Sequence, residues 1–156
     1  MKRVAVTGIG TINAIAHHTQ EFVCSLEEMK CGIGKITQFD CSDYPAAMAA
    51  EIKNFDPEIH FEIKIANRYD RFLQLGIVAA RNAIADAGLE PSRDWRDNAA
   101  VTVSSGIGGF KTLHREYGNL FKRGPKAVRP HLIPMMISDM ASGAIALDLG
   151  CRGPNF

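Results

Sequence analysis

The 156-residue chain is long enough for one domain with a hydrophobic core and short for two. Its 46% hydrophobic and 22% charged residues are ordinary for a globular protein. The net charge of +1 gives no overall field that would attract nucleic acid or an anionic membrane, so we expect neither as a partner.

The sequence also carries no signal for export or membrane insertion. No apolar run approaches the roughly 18–20 residues that span a bilayer, and the N-terminus lacks the apolar stretch of a signal peptide. The expected location is therefore the cytoplasm, where cysteines remain free thiols. The four cysteines form no CxxC pair and have no histidine at zinc-ligand spacing. We expect neither a metal site nor a cofactor.

The N-terminal segment begins with a short, partly β-branched apolar run. Residues 3–7 predict a buried strand, which the glycines of Gly8-Ile9-Gly10 follow as a tight turn. Apolar positions at helical spacing then predict a helix over residues 19–29, with Thr19 as its N-cap.

The middle of the chain holds the strongest helical pattern. Residues 32–60, with scattered glycines and prolines, predict an irregular excursion that contains a short strand over residues 49–52. A single apolar stripe rich in alanine then predicts a helix over residues 67–87 that stops at Gly88.

The last third predicts one more strand and two helices. Residues 98–105 form a second buried strand that runs into a glycine-rich turn, and residues 110–121 form a helix. A final helix over residues 137–149 ends at Gly150. Widely separated strands joined by helices favour a parallel α/β sheet. The turn at residues 151–154 leads back to that sheet, so we expect the domain to stop before its next strand.

Two glycine-rich segments invite functional interpretations. Gly8-Ile9-Gly10 follows a strand, as a dinucleotide-binding fingerprint does, but Asn13 replaces the third glycine. We interpret it as a turn that needs glycine for backbone freedom. The segment Ser104–Gly109 lacks the Lys-Ser/Thr ending of a P-loop. It fits a phosphate site, a close backbone approach to a ligand or partner subunit, or a plain strand-to-helix turn.

Ionisable side chains offer further candidates. Residues 122–129 carry four basic side chains and no acidic one, and Lys64 with Arg68 forms a smaller basic group. Each group is either a solvated face or a docking surface for an acidic partner. Cys31 or Cys151 could pair on paper with a histidine, although sequence spacing cannot place such groups in contact. We interpret most of the five histidines as surface or packing residues.

Seven short motifs occur in order along the chain: Lys2–Gly10, Cys31–Gly34, Tyr69–Phe72, Asp86–Leu89, Ser104–Gly109, Ile133–Ile137 and Arg152–Asn155. Each motif alone is weak, but together their order and spacing are specific. They resemble the β-ketoacyl-[acyl-carrier-protein] synthases, and among these the synthase II branch of bacterial fatty-acid synthesis. The resemblance covers the whole chain.

The resemblance implies a partial thiolase-like α/β fold, the first half of an αβαβα layered architecture, with residues 1–156 as an incomplete N-terminal domain. The implied chemistry of the full-length family is acyl transfer with decarboxylative Claisen condensation. A cysteine at a helix N-terminus carries the acyl group, and two histidines assist the decarboxylation. By this resemblance the nucleophile lies a few residues beyond Phe156. We therefore expect no catalytic residue and no condensing activity in this chain alone.

Non-catalytic site residues are implied as well. Positions matching Ile107, Leu132 and Ile133 form the wall of the acyl pocket, and the last two reach towards the pocket of a partner subunit. The chain is therefore expected to form a homodimer or to pair with a separate C-terminal half.

The resemblance also implies residues that bind the family's protein substrate, the acyl carrier protein. Positions matching Lys64, Arg68 and Lys126 approach the acidic acyl carrier protein. This favours the docking interpretation of the basic groups over a solvated face.

Two alternatives to an enzyme part remain open. The chain could be a non-catalytic partner of a condensing enzyme that resembles a chain-length factor, which co-purification with a second chain would reveal. It could also be a small-molecule-binding α/β module built on the two glycine-rich turns, in which case nucleotides should stabilise it against heat.

Overall fold

The computed structural model describes residues 3–90 and 93–156, so Lys2 of the first motif lies outside the described residues. Two short strands pair in the first third of the chain, and helices make up most of the remaining regular structure. The strands are β1 (Ile33–Lys35) and β2 (Met48–Ala50). The helices are α1 (Thr19–Glu27), α2 (Pro57–His60), α3 (Ile63–Ala66), α4 (Arg71–Asp86), α5 (Arg93–Arg96), α6 (Phe110–Arg123), α7 (Leu132–Met136) and α8 (Met140–Leu149), with a 3₁₀ turn at Pro125–Ala127.

Helix α4 is the centre of the hydrophobic core. Its residues Leu73, Ile77 and Val78 are buried and belong to one cluster with Ala144 and Ile145 of α8. Each large apolar side chain buried in this way contributes about 1.5–3 kcal/mol. The small alanine side chains of α8 allow the axes of α4 and α8 to approach each other closely.

The helix predicted over residues 67–87 is confirmed in its main part, but it begins later. Asp70 is the N-cap of α4, and its Oδ1 accepts a hydrogen bond of 3.3 Å from the N–H of Phe72. A capping carboxylate fixes the start of a helix at the residue that follows it. The preceding apolar residues form the separate short helix α3.

An ion pair joins α4 to α8 and to the segment that precedes α3. Arg81 donates to both carboxylate oxygens of Asp148, from Nε at 2.8 Å and from Nη2 at 2.5 Å. Its Nη1 donates to the carbonyl oxygen of His60 at 2.8 Å, and its guanidinium lies 4.9 Å from the ring centre of Phe61. A two-point arginine–carboxylate bond of this kind also fixes geometry.

The buried strand predicted over residues 3–7 is wrong. These residues belong to no strand, and the side chains of Val4 and Val6 are 96% and 83% exposed. A β-branched run becomes a buried strand only where it hydrogen-bonds to a neighbouring strand and packs against a second layer. In the described residues this segment does neither.

The glycines after this segment have a different role from the predicted one. Neither Gly8 nor Gly10 has a positive φ, so backbone freedom is not what they supply. Instead they lie against α4: a Cβ on Gly8 would overlap the carbonyl oxygen of Ala83, and one on Gly10 would overlap that of Ala79. Glycine is needed here because two backbones approach each other closely.

The sheet content differs from the prediction. Strands β1 and β2 are antiparallel, with Ile33 opposite Ala50 and Lys35 opposite Met48. The short strand expected over residues 49–52 is therefore present one residue earlier, while its partner β1 was missed within a glycine-rich stretch. Alternation between the two faces is hard to recognise in a strand of three residues.

Parallel pairing is found where residues 101–103 run beside residues 154–156. The N–H of Val101 donates to Pro154 at 2.9 Å, and the N–H of Phe156 donates back to Val101 at 3.1 Å. The N–H of Val103 then donates to Phe156 at 3.2 Å. The predicted return of the chain after α8 is confirmed. In the described ranges this parallel contact is one isolated bridge, Val101 with Asn155, so the expected sheet is present only in part.

The other predicted helices are present, but two of them begin at residues that differ from the prediction. Helix α6 is confirmed. Helix α1 has His18 as its N-cap, because the hydroxyl of Thr19 donates to the carbonyl oxygen of Ile9 at 2.9 Å instead. The last helix begins at Met140, and α7 precedes it as a separate turn. None of the helices in the described part of the chain is long and apolar enough to cross a membrane.

Candidate functional site

The glycine-rich loop at residues 104–109 is packed against the end of α7. The N–H of Gly109 donates to the carbonyl oxygen of Met136 at 2.8 Å, and that of Gly108 donates to the Ser105 hydroxyl at 3.0 Å. A Cβ on Gly108, where φ is +75°, would lie 2.8 Å from the backbone nitrogen of Ser138. Of the three interpretations, the structure supports a turn that leads into α6, with a close backbone approach inside the same chain. These two N–H groups are already bound and are not directed to a phosphate.

This contact places the predicted pocket-wall residues on neighbouring segments. Ile107 lies in the loop and is 70% exposed, while Ile133 lies in α7 and is 55% exposed. Leu132, also in α7, is half-buried. Both isoleucines are exposed, so they could line a pocket only if another element covered them.

The predicted docking residues are all exposed. Lys64 lies in α3, Arg68 follows that helix, and Lys126 lies in the 3₁₀ turn after α6. Their sequence neighbours Asn67 and Arg129 line one cleft of about 230 Å³. One residue near each of two basic groups that are far apart in the sequence therefore lies at the same cleft.

The cleft lies between the start of α4 and the first turns of α6. Four cationic side chains line it, and we call it the basic cleft: Arg71, Lys111, Arg115 and Arg129.

Asp70 joins the two helices beside the basic cleft. Besides capping α4, its Oδ2 accepts from the N–H of Thr112 at 2.9 Å and from the Thr112 hydroxyl at 2.5 Å. Asp70 is 6% exposed and Thr112 2% exposed. One buried carboxylate thus serves the positive ends of both α4 and α6, where negative charge is stabilising.

Glu116 is the second buried carboxylate, 1% exposed. It accepts from Nε of Arg115 at 2.9 Å, from the backbone N–H of Arg129 at 3.1 Å and from Asn119 at 3.2 Å. Burial alone would raise the pKa of Glu116, but the hydrogen bonds from Arg115, Arg129 and Asn119 outweigh it and hold this pKa below its usual value. Glu116 is therefore ionised and ties α6 to the segment that follows the 3₁₀ turn.

The four cysteines are free thiols in different surroundings. Cys41 is buried and Cys24 exposed. Burial raises the pKa of the Cys151 thiol although Arg96 lies close enough to oppose this, so little thiolate forms at neutral pH. Within residues 3–90 and 93–156, no group of three or more His, Cys, Asp or Glu side chains is arranged to hold a metal ion.

The histidines for which the structure shows a contact are surface or packing residues, as predicted. The ring of His60 stacks on that of Phe55 with 5.4 Å between centroids. Burial, followed by the nearby charge of Arg81, lowers the pKa of His60 and keeps it neutral. His18 caps α1, and Nε2 of His17 lies 2.8 Å from the carbonyl oxygen of Lys53.

The sequence analysis did not identify two residues that line the basic cleft, Lys111 and Arg115, or the buried Glu116 that contacts Arg115. Lys111 and Arg115 are four positions apart, a spacing that puts two cations on one side of a helix, and this signal was available. The burial of Glu116 had no such signal, because glutamate in a helix is normally exposed.

Comparison with known proteins gives relatives of one kind. A 3-oxoacyl-[acyl-carrier-protein] synthase 2 of Staphylococcus aureus (strain COL) is 41% identical over 154 residues, which is 99% of this chain and 37% of that protein. The chain thus spans little more than a third of this relative's length. The model of the beta-ketoacyl synthase N-terminal domain matches residues 1–156.

Solved structures agree. The ishigamide ketosynthase/chain length factor superposes with a TM-score of 0.85 at 26% identity, covering 97% of this chain and 38% of that one. A type II PKS acyl-carrier protein in complex with its ketosynthase, AntDE:AntF, gives a TM-score of 0.77 at 20% identity, covering 97% of this chain and 40% of the solved one. The predicted partial thiolase-like α/β fold is therefore confirmed. The chain belongs to the β-ketoacyl synthase family and matches its N-terminal domain.

Proposed function

We propose that this chain is the N-terminal part of a β-ketoacyl-[acyl-carrier-protein] synthase of fatty-acid biosynthesis. The complete protein would transfer an acyl group to itself and extend it by decarboxylative Claisen condensation. The observation that carries the proposal is the 41% identity over 154 residues to a 3-oxoacyl-[acyl-carrier-protein] synthase 2.

A chimera tests this proposal directly. This chain would replace the matching residues of the Staphylococcus aureus synthase, and the product would be assayed with acyl and malonyl carrier protein. We expect condensation, because the 41% identity implies that the same neighbouring elements fit. A folded chimera that forms an acyl-enzyme but does not elongate it would contradict the proposal.

The proposed role of Ile107, Leu132 and Ile133 is to form the wall of the acyl pocket. Support comes from the contact between the 104–109 loop and α7, and from the exposed isoleucines that this contact leaves at the surface. In the chimera, Ile107→Trp should shorten the acyl chains that are accepted. An unchanged chain-length profile would argue against this role.

Lys64, Arg68 and Lys126 are proposed to bind the acidic acyl carrier protein. Their exposure supports an electrostatic docking surface, and their sequence neighbours Asn67 and Arg129 line the basic cleft. In the chimera, reversal of these three charges to glutamate should raise the KM for the carrier protein with a smaller effect on kcat. The matched control is Lys35→Glu, an exposed lysine of β1.

We propose that the 156-residue chain by itself has no condensing activity, because none of its four cysteines matches the nucleophile position of the family. Incubation with radiolabelled acyl carrier protein should leave the chain unlabelled. A stable thioester on Cys24, Cys31, Cys41 or Cys151 would overturn this.

A second candidate is a non-catalytic subunit that resembles a chain-length factor. Its support is the superposition on the ishigamide ketosynthase/chain length factor, whose name includes both kinds of protein. Co-purification with a separate condensing subunit would support this candidate, whereas condensation by the chimera alone supports the first.

The assembly and location follow from the proposed function. We propose a homodimer, or pairing with a separately encoded C-terminal half, in the cytoplasm. Light scattering of the purified protein and cell fractionation would test these two points separately.

A further inference from the structure

The basic cleft holds more positive charge than its own carboxylates neutralise. Arg71, Lys111, Arg115 and Arg129 line it, and Asp70 is the one carboxylate among its described lining residues. Both oxygens of Asp70 already accept hydrogen bonds, from Phe72 and from Thr112. The cleft therefore has a surplus of donors and no unoccupied carboxylate to satisfy them.

Two of the arginines that line the cleft lie beside the buried carboxylate of Glu116. Nε of Arg115 lies 2.9 Å from Glu116 Oε1, and Nε of Arg129 lies 3.7 Å from the same oxygen. Glu116 is buried, while the two arginine side chains are 44% and 48% exposed. Within the part of the chain that the structure describes, the Nη atoms of Arg115 and Arg129 have no hydrogen-bond partner. Their donors are thus oriented and available.

The other two cations approach from different sides. Arg71 is fixed by a 2.8 Å hydrogen bond to Ile52 and by its position 5.3 Å from the ring centre of Phe55. Lys111 has a single long contact, 3.4 Å from Gln38. Arg71 belongs to α4 and Lys111 to α6, so the charges surround the space between the two helices.

We propose that the basic cleft binds a small phosphate-type oxyanion, either free phosphate or the phosphate group of a small ester. Arginine forks match the geometry of phosphate oxygens, and donors from several directions suit a tetrahedral dianion better than a planar monoanion. The volume of about 230 Å³ is below the range of about 300–1,000 Å³ that is typical of sites for drug-sized ligands. This inference does not depend on the proposed function.

Calorimetric titration of the 156-residue chain with inorganic phosphate tests the site, with sodium chloride added to keep the ionic strength constant. We expect saturable binding with one site per chain, and clearly weaker binding of sodium acetate. Absence of saturable phosphate binding, or acetate binding as tight as phosphate binding, would overturn the proposal.

Two single-lysine variants of α6 test whether phosphate binds in the basic cleft. Lys111→Gln removes one charge from the cleft without leaving a buried partner, so we expect phosphate to bind about three- to tenfold more weakly. Lys122→Gln removes the same charge from the exposed end of the same helix and should leave binding nearly unchanged. Equal losses in the two variants would mean that phosphate binds through net charge alone.

Glu116 gives a test that separates positioning from charge. Glu116→Gln removes a negative charge near the cleft, so electrostatics alone predicts tighter phosphate binding. If Glu116 orients Arg115 and Arg129, binding should instead weaken. Circular dichroism must show that the variant is folded. Tighter binding by the folded variant would refute the positioning role of Glu116.

Discussion

At the scale of single residues, Asp70 is the side chain on which two helices depend. It caps α4 and also accepts from both the backbone N–H and the hydroxyl of Thr112 in the first turn of α6. A buried carboxylate that accepts three hydrogen bonds leaves three donors unsatisfied when it is removed, and each such loss is costly. The Tyr69–Phe72 motif therefore has a structural reason that involves no catalysis.

We expect Asp70→Ala to lower the free energy of unfolding by about 3 kcal/mol and Asp70→Asn by about 1–2 kcal/mol. Asparagine keeps one acceptor for the cap but presents its NH₂ group to the donors of Thr112. Urea denaturation measures both values. The control is Asp43→Asn, an exposed aspartate in a loop. If Asp70→Asn were as stable as the wild type, the shared-cap explanation would be wrong.

Glu116 should make stability depend on pH. Its pKa in the folded protein is held below the ordinary value of 4.5, so its contribution is present above that pH. The contribution is lost as the pH falls through the lowered folded pKa. We expect Glu116→Gln to be less stable than the wild type at pH 7, and this difference in the free energy of unfolding to narrow as the pH falls below 4.5.

Unfolding by urea at a series of pH values checks this expectation. Glu28→Gln, on an exposed glutamate at the end of α1, is the matched control for the loss of one carboxylate. A constant difference between wild type and Glu116→Gln across the range would contradict the proposed ionisation.

At the scale of elements, the sequence predicted helices well where an apolar stripe was long. The pattern located α4, because its apolar periodicity extends over several turns. It did not place the break before Arg71, which depends on the side-chain bonds of Asp70. It predicted a buried strand at residues 3–7, because β-branched composition does not reveal whether a neighbouring strand is present.

The candidate site was predictable only in part. Lys64, Arg68 and Lys126 came from family resemblance and are all exposed. Arg115 and Glu116 were not recognised, because a helix pattern based on apolar residues overlooks a buried polar face. Helix α6 buries Thr112 and Glu116 while Tyr117 and Phe121 are 57% and 74% exposed, the reverse of an ordinary surface helix.

Glycine-to-alanine changes at two positions should have opposite effects. Gly10→Ala places a Cβ 2.5 Å from the backbone nitrogen of Ala83 and should cost about 1–3 kcal/mol or more. Gly118→Ala, inside α6, meets nothing within 4 Å and should stabilise the chain by about 0.5–1 kcal/mol through helix propensity. Thermal unfolding compares the two. Equal effects would mean that the close approach to α4 is not required.

At the scale of the whole molecule, large apolar side chains remain at the surface. Val4 and Val6 are exposed at the N-terminus, and Phe110, Tyr117 and Phe121 form an exposed stripe along α6. Contiguous apolar patches on an isolated chain commonly mark interfaces or cause association. Phe110, Tyr117 and Phe121 recur at helical spacing, so they form a coherent face.

We therefore expect the isolated chain to bind a hydrophobic dye and to associate as its concentration rises. Replacing Tyr117 and Phe121 by serine should reduce both effects, because it removes most of the stripe while Thr112 and Glu116 stay buried. Sedimentation and dye fluorescence measure the outcome. A monomer at high concentration with a sharp two-state melt would contradict this expectation.

The contact of Gly8 and Gly10 with α4 also limits how the protein can evolve. The two atoms nearest to a Cβ added at either glycine are backbone atoms of Ala79, Ala83 or Ala87, which are present whatever side chain occupies those positions. When two side chains compete for space, a smaller partner can restore the fit, but a backbone atom cannot be made smaller. A genetic screen that starts from a damaged Gly10 codon should therefore yield true revertants and few local suppressors in α4.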